Sequence, residues 1–343
     1  MATIMAAAGT AARQGLQGCR LADWVAGRQG AALPHCAPRR RLAASAGAAL
    51  LHVDDVTAVP TSVRGVPPIA SAASPPPVDA DTPLVWLHGL LGSGVNFRSI
   101  AGHPALTDGG ARRSLTVDLR NHGRSPAASA GLTLESMADD VLHTLDARGV
   151  RRVTLIGHSL GGRVAALLAL RAPHRVARLV IMDVSLSTYA ASPAWDSVAA
   201  VLAAAAALDP ARYTARRDID TALAATLPNA GERSFLQQNL VATGNGSYTW
   251  RMPMAPLLRA MPAFAGFPSP PPTGPYAPVP RLPVTFIAGT RSAFFTPADQ
   301  PAAAAFFPAA TFHPLPGAGH WLHADKPTEF VTLLANVLHD RAN

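Results

Sequence analysis

Cysteine is nearly absent from this chain. Only Cys19 and Cys36 occur among 343 residues, and both lie before residue 50. Beyond that point a disulfide, a cysteine nucleophile and a cysteine-ligated metal are excluded together. No uninterrupted apolar run of about 18 residues exists, so no transmembrane helix is expected. The nearest approach, Val198 to Leu208, is short and mostly alanine. No H-E-x-x-H or EF-hand pattern appears, and no G-x-G-x-x-G or phosphate loop, so no metal and no cofactor is implied. Acidic residues are scarce in the first 50 positions. There Arg13, Arg20, Arg28, Arg39, Arg40 and Arg41 face Asp23 alone, without a lysine. This segment carries +5 of the net charge of +8, leaving +3 for the rest, a distribution that argues against a nucleic-acid partner. An Arg-rich, acid-poor leader without a long apolar core reads as an organelle transit peptide over residues 1–48, addressed to mitochondrion or chloroplast.

The remainder is rich enough in apolar residues, 49% of the chain, to fill a sizeable core. Its most informative stretch is Gly157-His158-Ser159-Leu160-Gly161. The apolar run Val153-Thr154-Leu155-Ile156 precedes it, and a helix-like run, Gly162 to Leu170, follows. Strand, tight G-x-S-x-G turn and helix form the setting of a nucleophile elbow, with Ser159 at its tip. Such a serine needs a general base and an acid that orients the base. Among 12 histidines, His320 is the candidate base, because Gly317-Ala318-Gly319 lets a loop turn sharply before it. His313 and His323 are the nearest rivals. The usual place for the acid follows the apolar strand Pro283 to Ala288, yet Gly289-Thr290-Arg291-Ser292 puts a serine there. Two aspartates stay open. Asp183 ends the strand-like run Arg178 to Met182, at the sheet edge where ligands bind in open α/β folds. Asp299, in Thr296-Pro297-Ala298-Asp299, has the look of a helix start. The oxyanion donors are expected to be the N–H groups of Leu160, after the nucleophile, and Leu90, in the loop after strand Pro83–Leu87. His88, Trp250 and Trp321 are candidates for the substrate pocket.

These segments resemble the α/β-hydrolase-fold serine hydrolases. More narrowly, they resemble the α/β-hydrolase domain-containing protein 11 group and related bacterial short-chain esterases. The resemblance rests on His88-Gly-Leu-Leu-Gly-Ser93 with Asn96-Phe97, on Val117 to Pro126, and on Met137-Ala138-Asp139-Asp140. It rests equally on the elbow, Thr249-Trp250-Arg251, and Gly319 to Pro327. It implies a mostly parallel central sheet flanked by helices, with an inserted helical lid. It also implies that the acid comes from the strand after the elbow helix, at Asp183. Epoxide hydrolases and haloalkane dehalogenases resemble this fold but need an aspartate at position 159.

The expected organisation is a core over residues 49–187, a lid with a Pro-rich linker over 188–280, and the rest of the core over 281–343. Within the lid, helices are expected over Trp195–Leu208, Asp218–Leu227 and Phe235–Val241. The apolar residues Trp195, Phe235, Leu240, Trp250, Met252, Met254, Met261 and Phe264 either line an acyl pocket or pack the lid onto the core. The expected activity is hydrolysis of a small-molecule acyl ester through an acyl-enzyme. A thioesterase, perhydrolase or C–C hydrolase on the same triad remains open, as does a receptor built on the same scaffold.

Overall fold

The computed structural model describes residues 47–57, 82–129, 131–189 and 192–340. Nearly all of the expected leader, residues 1–48, and the proline-rich stretch over residues 66–81 lie outside the described residues.

Seven strands form one sheet in the order β1-β3-β2-β4-β5-β8-β9. They are β1 (Val53–Asp55), β2 (Leu84–Leu87), β3 (Ser114–Val117), β4 (Val153–His158), β5 (Val176–Met182), β8 (Val284–Gly289) and β9 (Ala310–Leu315), while β6 (Leu240–Ala242) and β7 (Tyr248–Trp250) pair separately as a hairpin. Only β1 runs antiparallel to its neighbour; the other pairings within the sheet are parallel. Parallel strands covered on both faces read as continuous apolar runs rather than alternating ones. Every residue of β2, β3, β4 and β5 is buried accordingly.

The pleat divides these runs between two cores. Val85, Leu87, Leu155, Leu179 and Ile181 point to one face, under α2 (Leu134–Ala147) and α3 (Leu160–Arg171). Leu84, Trp86, Ile156, Val180 and Met182 point to the other. There they meet Ile100 of α1 (Arg98–Ala101) and Phe330, Val331 and Leu334 of α10 (Pro327–His339).

Between β5 and β8 the chain leaves the sheet. It forms α4 (Pro193–Ala207), α5 (Arg216–Ala224), α6 (Ala230–Gln237), the hairpin, and α7 (Met254–Ala265). The helix expected over Phe235–Val241 is corrected here: α6 stops at Gln237, and Leu240 and Val241 pair with Trp250 and Thr249. The turn carries Asn245-Gly246, with Gly246 at φ +82°, and this Asn-Gly hairpin signal outweighs the helical reading. Helix α7 was not anticipated. Met254, Leu257, Met261 and Phe264 are buried on it at helical spacing. After β8 come α8 (Gln300–Phe306), then β9, α9 (Leu322–Asp325) and α10.

The order of strands places the site. From β2 the chain crosses to β3 on one side, and from β4 it crosses to β5 on the other. The carboxyl ends of β2 and β4, paired through Leu87 and Gly157, therefore flank a switch point where an open α/β sheet leaves a crevice. Both loops can meet there because the elbow is stripped of side chains. A Cβ on Gly157 would stand 2.4 Å from the Gly161 carbonyl oxygen, and one on Gly161 would stand 2.3 Å from that of Leu87. Neither obstacle is a flexible side chain. Gly161→Ala is expected to cost more than about 2 kcal/mol of stability, measured by denaturant unfolding. An unchanged midpoint would refute the close-approach account.

Candidate active site

Ser159 joins β4 to α3 with φ 52° and ψ −120°. A non-glycine residue in this conformation stores roughly 1–3 kcal/mol, and such strain persists only where the surroundings impose it. Here the Ser159 N–H donates to the Met182 carbonyl at 3.0 Å, which ties the elbow to the end of β5. Asp183, the next residue after Met182, also has positive φ, 51°, and is 1% exposed.

The Asp183 carboxylate gathers three donors from distant segments. Its Oδ1 accepts the Gly289 N–H at 3.0 Å, while Oδ2 accepts the Ser292 hydroxyl and His320 Nδ1, the latter at 2.7 Å. A carboxylate only accepts, so the His320 proton sits on Nδ1 and Nε2 is left with a free lone pair. The structure thus brings Asp183, not Asp299, to His320. Asp299 is occupied as a cap, accepting the Thr296 N–H and hydroxyl, each at 2.8 Å. Ser292, at the position where a carboxylate was looked for, instead supplies a hydroxyl to the carboxylate from β5. His320 is seated by aromatic contacts, with Phe294 at 4.0 Å between ring centroids and His158 at 4.7 Å. Its carbonyl accepts from His158 Nε2 at 2.8 Å.

Ser159 and His320 line one cavity of about 410 Å³. The loop after β2 forms its other side. Gly89 is obligatory there, since a Cβ would meet His158 Nδ1 at 2.9 Å and Ser159 Cβ at 3.2 Å. The Gly92 N–H closes a turn onto the Gly89 carbonyl, and Asn239, at the start of the hairpin, holds the Leu91 carbonyl at 2.9 Å. Leu90 and Leu160 both line the cavity, and among the described residues their N–H groups make no hydrogen bond within the protein.

The pocket candidates divide. Trp321, Trp195 and Phe235 line the cavity together with Val198 and Val201. His88 lines it too, but as a strut. Its Nδ1 donates to the Gly89 carbonyl and its Nε2 accepts the Leu119 N–H, so both nitrogens are spent on backbone. Trp250 is corrected: it does not line the cavity. It lies on β7, paired with β6, and its indole N–H donates to the Leu208 carbonyl at 3.3 Å. Met252, Met254, Met261 and Phe264 are buried core residues rather than pocket wall.

The rival histidines have other surroundings. His313 lies on β9, hydrogen-bonded to the Thr311 hydroxyl and outside the cavity. His323 lines the cavity but has no carboxylate on its ring, and its Nδ1 is buried without a partner. Burial holds three rings of the site neutral. His88 and His323 are pushed down to about 4, and His158 well below the usual histidine range. The role of Phe294 carried no sequence signal, because it acts through a ring contact that only the fold creates, and the bond from His158 to the His320 carbonyl was equally invisible. Among the described residues no cluster of side chains is arranged to hold a metal ion. Among the described residues no helix is long and apolar enough to cross a membrane.

Comparison with known proteins fits this geometry. Residues 82–327 match the model of a family described by the α/β hydrolase fold. The sn-1-specific diacylglycerol lipase ABHD11 of Danio rerio is 36% identical over 258 residues, covering 75% of this chain and 78% of that protein. Esterase YbfF of Escherichia coli K12 is 30% identical over 260 residues, covering 76% and 94%. Among solved structures, a marine microorganism esterase superposes with a TM-score of 0.71 at 30% identity, covering 84% of this chain and all of the other.

Two expectations follow from the geometry. Asp183→Asn is expected to lower ester turnover by on the order of 10⁴, the scale seen when a triad acid is lost, while Asp299→Asn stays near wild type. Collapse in the Asp299 variant alone would reverse the assignment. The second concerns pH. The unfolded chain protonates His88, His158 and His323 below about pH 6.5, whereas the folded chain resists protonating His88 and His323 until near pH 4 and holds His158 well below its ordinary range. These rings cost nothing above pH 6.5, and stability falls as pH drops from there toward 4. Denaturant midpoints at a series of pH values test this, and His323→Phe should flatten the slope.

Proposed function

The chain belongs to the α/β hydrolase fold family and is a carboxylic ester hydrolase, and from that premise we propose that it works through an acyl-enzyme formed on Ser159. The 2.7 Å contact of buried Asp183 with His320, which lines the same cavity as the strained serine, carries this reading. His320 Nε2 takes the Ser159 proton as the hydroxyl oxygen attacks the ester carbonyl. The carbonyl oxygen gains negative charge and is received by the N–H groups of Leu90 and Leu160. A donor of this kind contributes roughly 3 kcal/mol to the transition state. The amino-terminal end of α3 adds its partial positive charge at the same place. The ester C–O bond then breaks, and the proton passes from His320 to the departing alcohol. Water, deprotonated by the same imidazole, attacks the acyl-serine and releases the acid. Asp183 keeps His320 in the Nδ1–H tautomer and stabilises the imidazolium formed at each transfer. The hydroxyl of Ser292 and the N–H of Gly289 orient the carboxylate itself.

The substrate we assign is a small ester with a short- to medium-chain acyl group or a lipid-type acyl group. The supporting observation is the apolar wall of Trp195, Val198, Val201, Phe235 and Trp321 facing the nucleophile. A cavity of about 410 Å³ lies within the range of sites that enclose a small molecule. The relatives point the same way, one named as a diacylglycerol lipase and another as an esterase. Helices α4 and α6, which bring Trp195 and Phe235, serve in this reading as a lid over the acyl chain. The Arg-rich leader supports delivery to an organelle, where such a hydrolase meets its ester.

Fluorophosphonate labelling followed by mass spectrometry tests the nucleophile. The adduct is expected on Ser159, and Ser159→Ala should abolish both labelling and p-nitrophenyl ester hydrolysis. Labelling that survives the substitution rejects the serine. Trp195→Ala should raise KM for a decanoate ester more than for an acetate ester; equal effects on both would remove the acyl chain from that wall.

A further inference from the structure

One residue ties together the wall, the nucleophile helix and the loop that covers the base without lining the cavity. The Tyr189 hydroxyl accepts the Ser185 N–H at 2.8 Å and donates to the Phe294 carbonyl at 2.7 Å. The Ser185 N–H also reaches that carbonyl, at 2.9 Å, so the three groups form a closed knot just beyond Asp183. Phe294 in turn lays its ring over the His320 imidazole, 4.0 Å between centroids and inclined by 31°. On its other side the Tyr189 ring stacks on Trp195 at 5.4 Å and 3°, and Trp195 is wall.

The ring is itself pinned from below. The Arg163 guanidinium, four residues after Ser159 on α3, lies 5.0 Å from the Tyr189 centroid and 5.1 Å from that of Phe267. Arg163 is 1% exposed, and its Nη1 and Nη2 donate to the carbonyls of Ser185, Ser187, Ala265 and Gly266. It therefore clamps the segment that enters the helical insertion to the segment that leaves it. The Tyr189 N–H repeats the link by donating to the Ala265 carbonyl at 3.0 Å. Burial pushes the Tyr189 hydroxyl up to about 12, so it remains a proton donor throughout the working range of a histidine base.

We propose that Tyr189 is a positioning residue for His320: through its hydroxyl it fixes the Phe294 backbone and thereby holds the Phe294 ring over the imidazole. The inference rests on His320 being the base, as read above. An aromatic cover of this kind limits the tilt of the ring about its hydrogen bond to Asp183 and keeps water from its face. The first effect acts on kcat, because proton transfer needs the nitrogen aimed at the serine. The second keeps bulk water from competing for that nitrogen while the proton moves.

Tyr189→Phe removes the hydroxyl and keeps the stack with Trp195. Phe294→Leu keeps the carbonyl knot and removes the cover. Both variants are to be assayed in the full chain with a butyrate ester from pH 5 to 9, beside Ser159→Ala and fluorophosphonate labelling of the wild type. Both are expected to lose kcat by on the order of tenfold, less than the roughly 10²–10⁴ that a general base contributes. KM should stay within about twofold. Wild-type kcat in Tyr189→Phe, or a loss confined to KM, overturns the role of Tyr189. If Ser159 labelling itself fails, the acyl-enzyme reading falls instead, so the two failures are distinguishable.

Discussion

The site depends on one buried carboxylate and what it collects. Asp183 ends β5 with a strained backbone, and it draws donors from the end of β8, from the loop beyond it, and from the loop after β9. These segments lie more than 100 residues downstream in the chain. A carboxylate that is 1% exposed has no water to turn to, so leaving any of these donors unpaired would be costly. Satisfying the aspartate therefore also sets the histidine. The same constraint explains why Ser292 is tolerated where another carboxylate was looked for. A second anion beside Asp183 would repel it, whereas a hydroxyl donates to it.

Around that centre, close approach of backbones substitutes for side-chain bulk. Gly157, Gly161 and Gly89 remove the Cβ atoms that would keep β2, β4 and α3 apart, and Gly289 does the same against Gly319, whose carbonyl oxygen would lie 2.3 Å from an added Cβ. The neutral histidines work within this frame. His88 and His158 use ring nitrogens as hydrogen-bonding struts between loops, and burial holds both rings neutral. Adding positive charge to the site by protonating them is opposed by the same burial that makes their bonds effective. The helical insertion contributes at two levels, as cavity wall through Trp195 and Phe235 and as a prop for the loop after β2 through Asn239.

The elements that were readable in advance share a property. Strands β2, β4 and β5 are short apolar runs, and α3 follows directly from the Gly-x-Ser-x-Gly turn, so local chemistry alone singles them out. The elements that were missed or misread are those whose residues serve a distant partner. Helix α7 buries its face against the core of the sheet. Strand β6 exists only because β7 returns beside it, and without that partner Phe235–Val241 is an acceptable helix. Trp250 shows the same limit at a single position: its place next to Arg251 in a recognisable motif gave no hint that its indole turns to the Leu208 carbonyl.

By itself the sequence determined the class of chemistry. A serine between two glycines, after an apolar run and before a helix, and a histidine after a Gly-x-Gly turn are local patterns, and local steric demands make them legible. It also narrowed the acid to two aspartates. Tertiary structure decided between them, since only a distance separates a carboxylate that orients a histidine from one that caps a helix, and that distance is created by pairing β5 with β8. The fold likewise decided which apolar residues of the insertion meet the cavity and which sink into the core. It joined Tyr189, Phe294 and His320 as well, for contacts between segments so far apart leave no mark on any one of them.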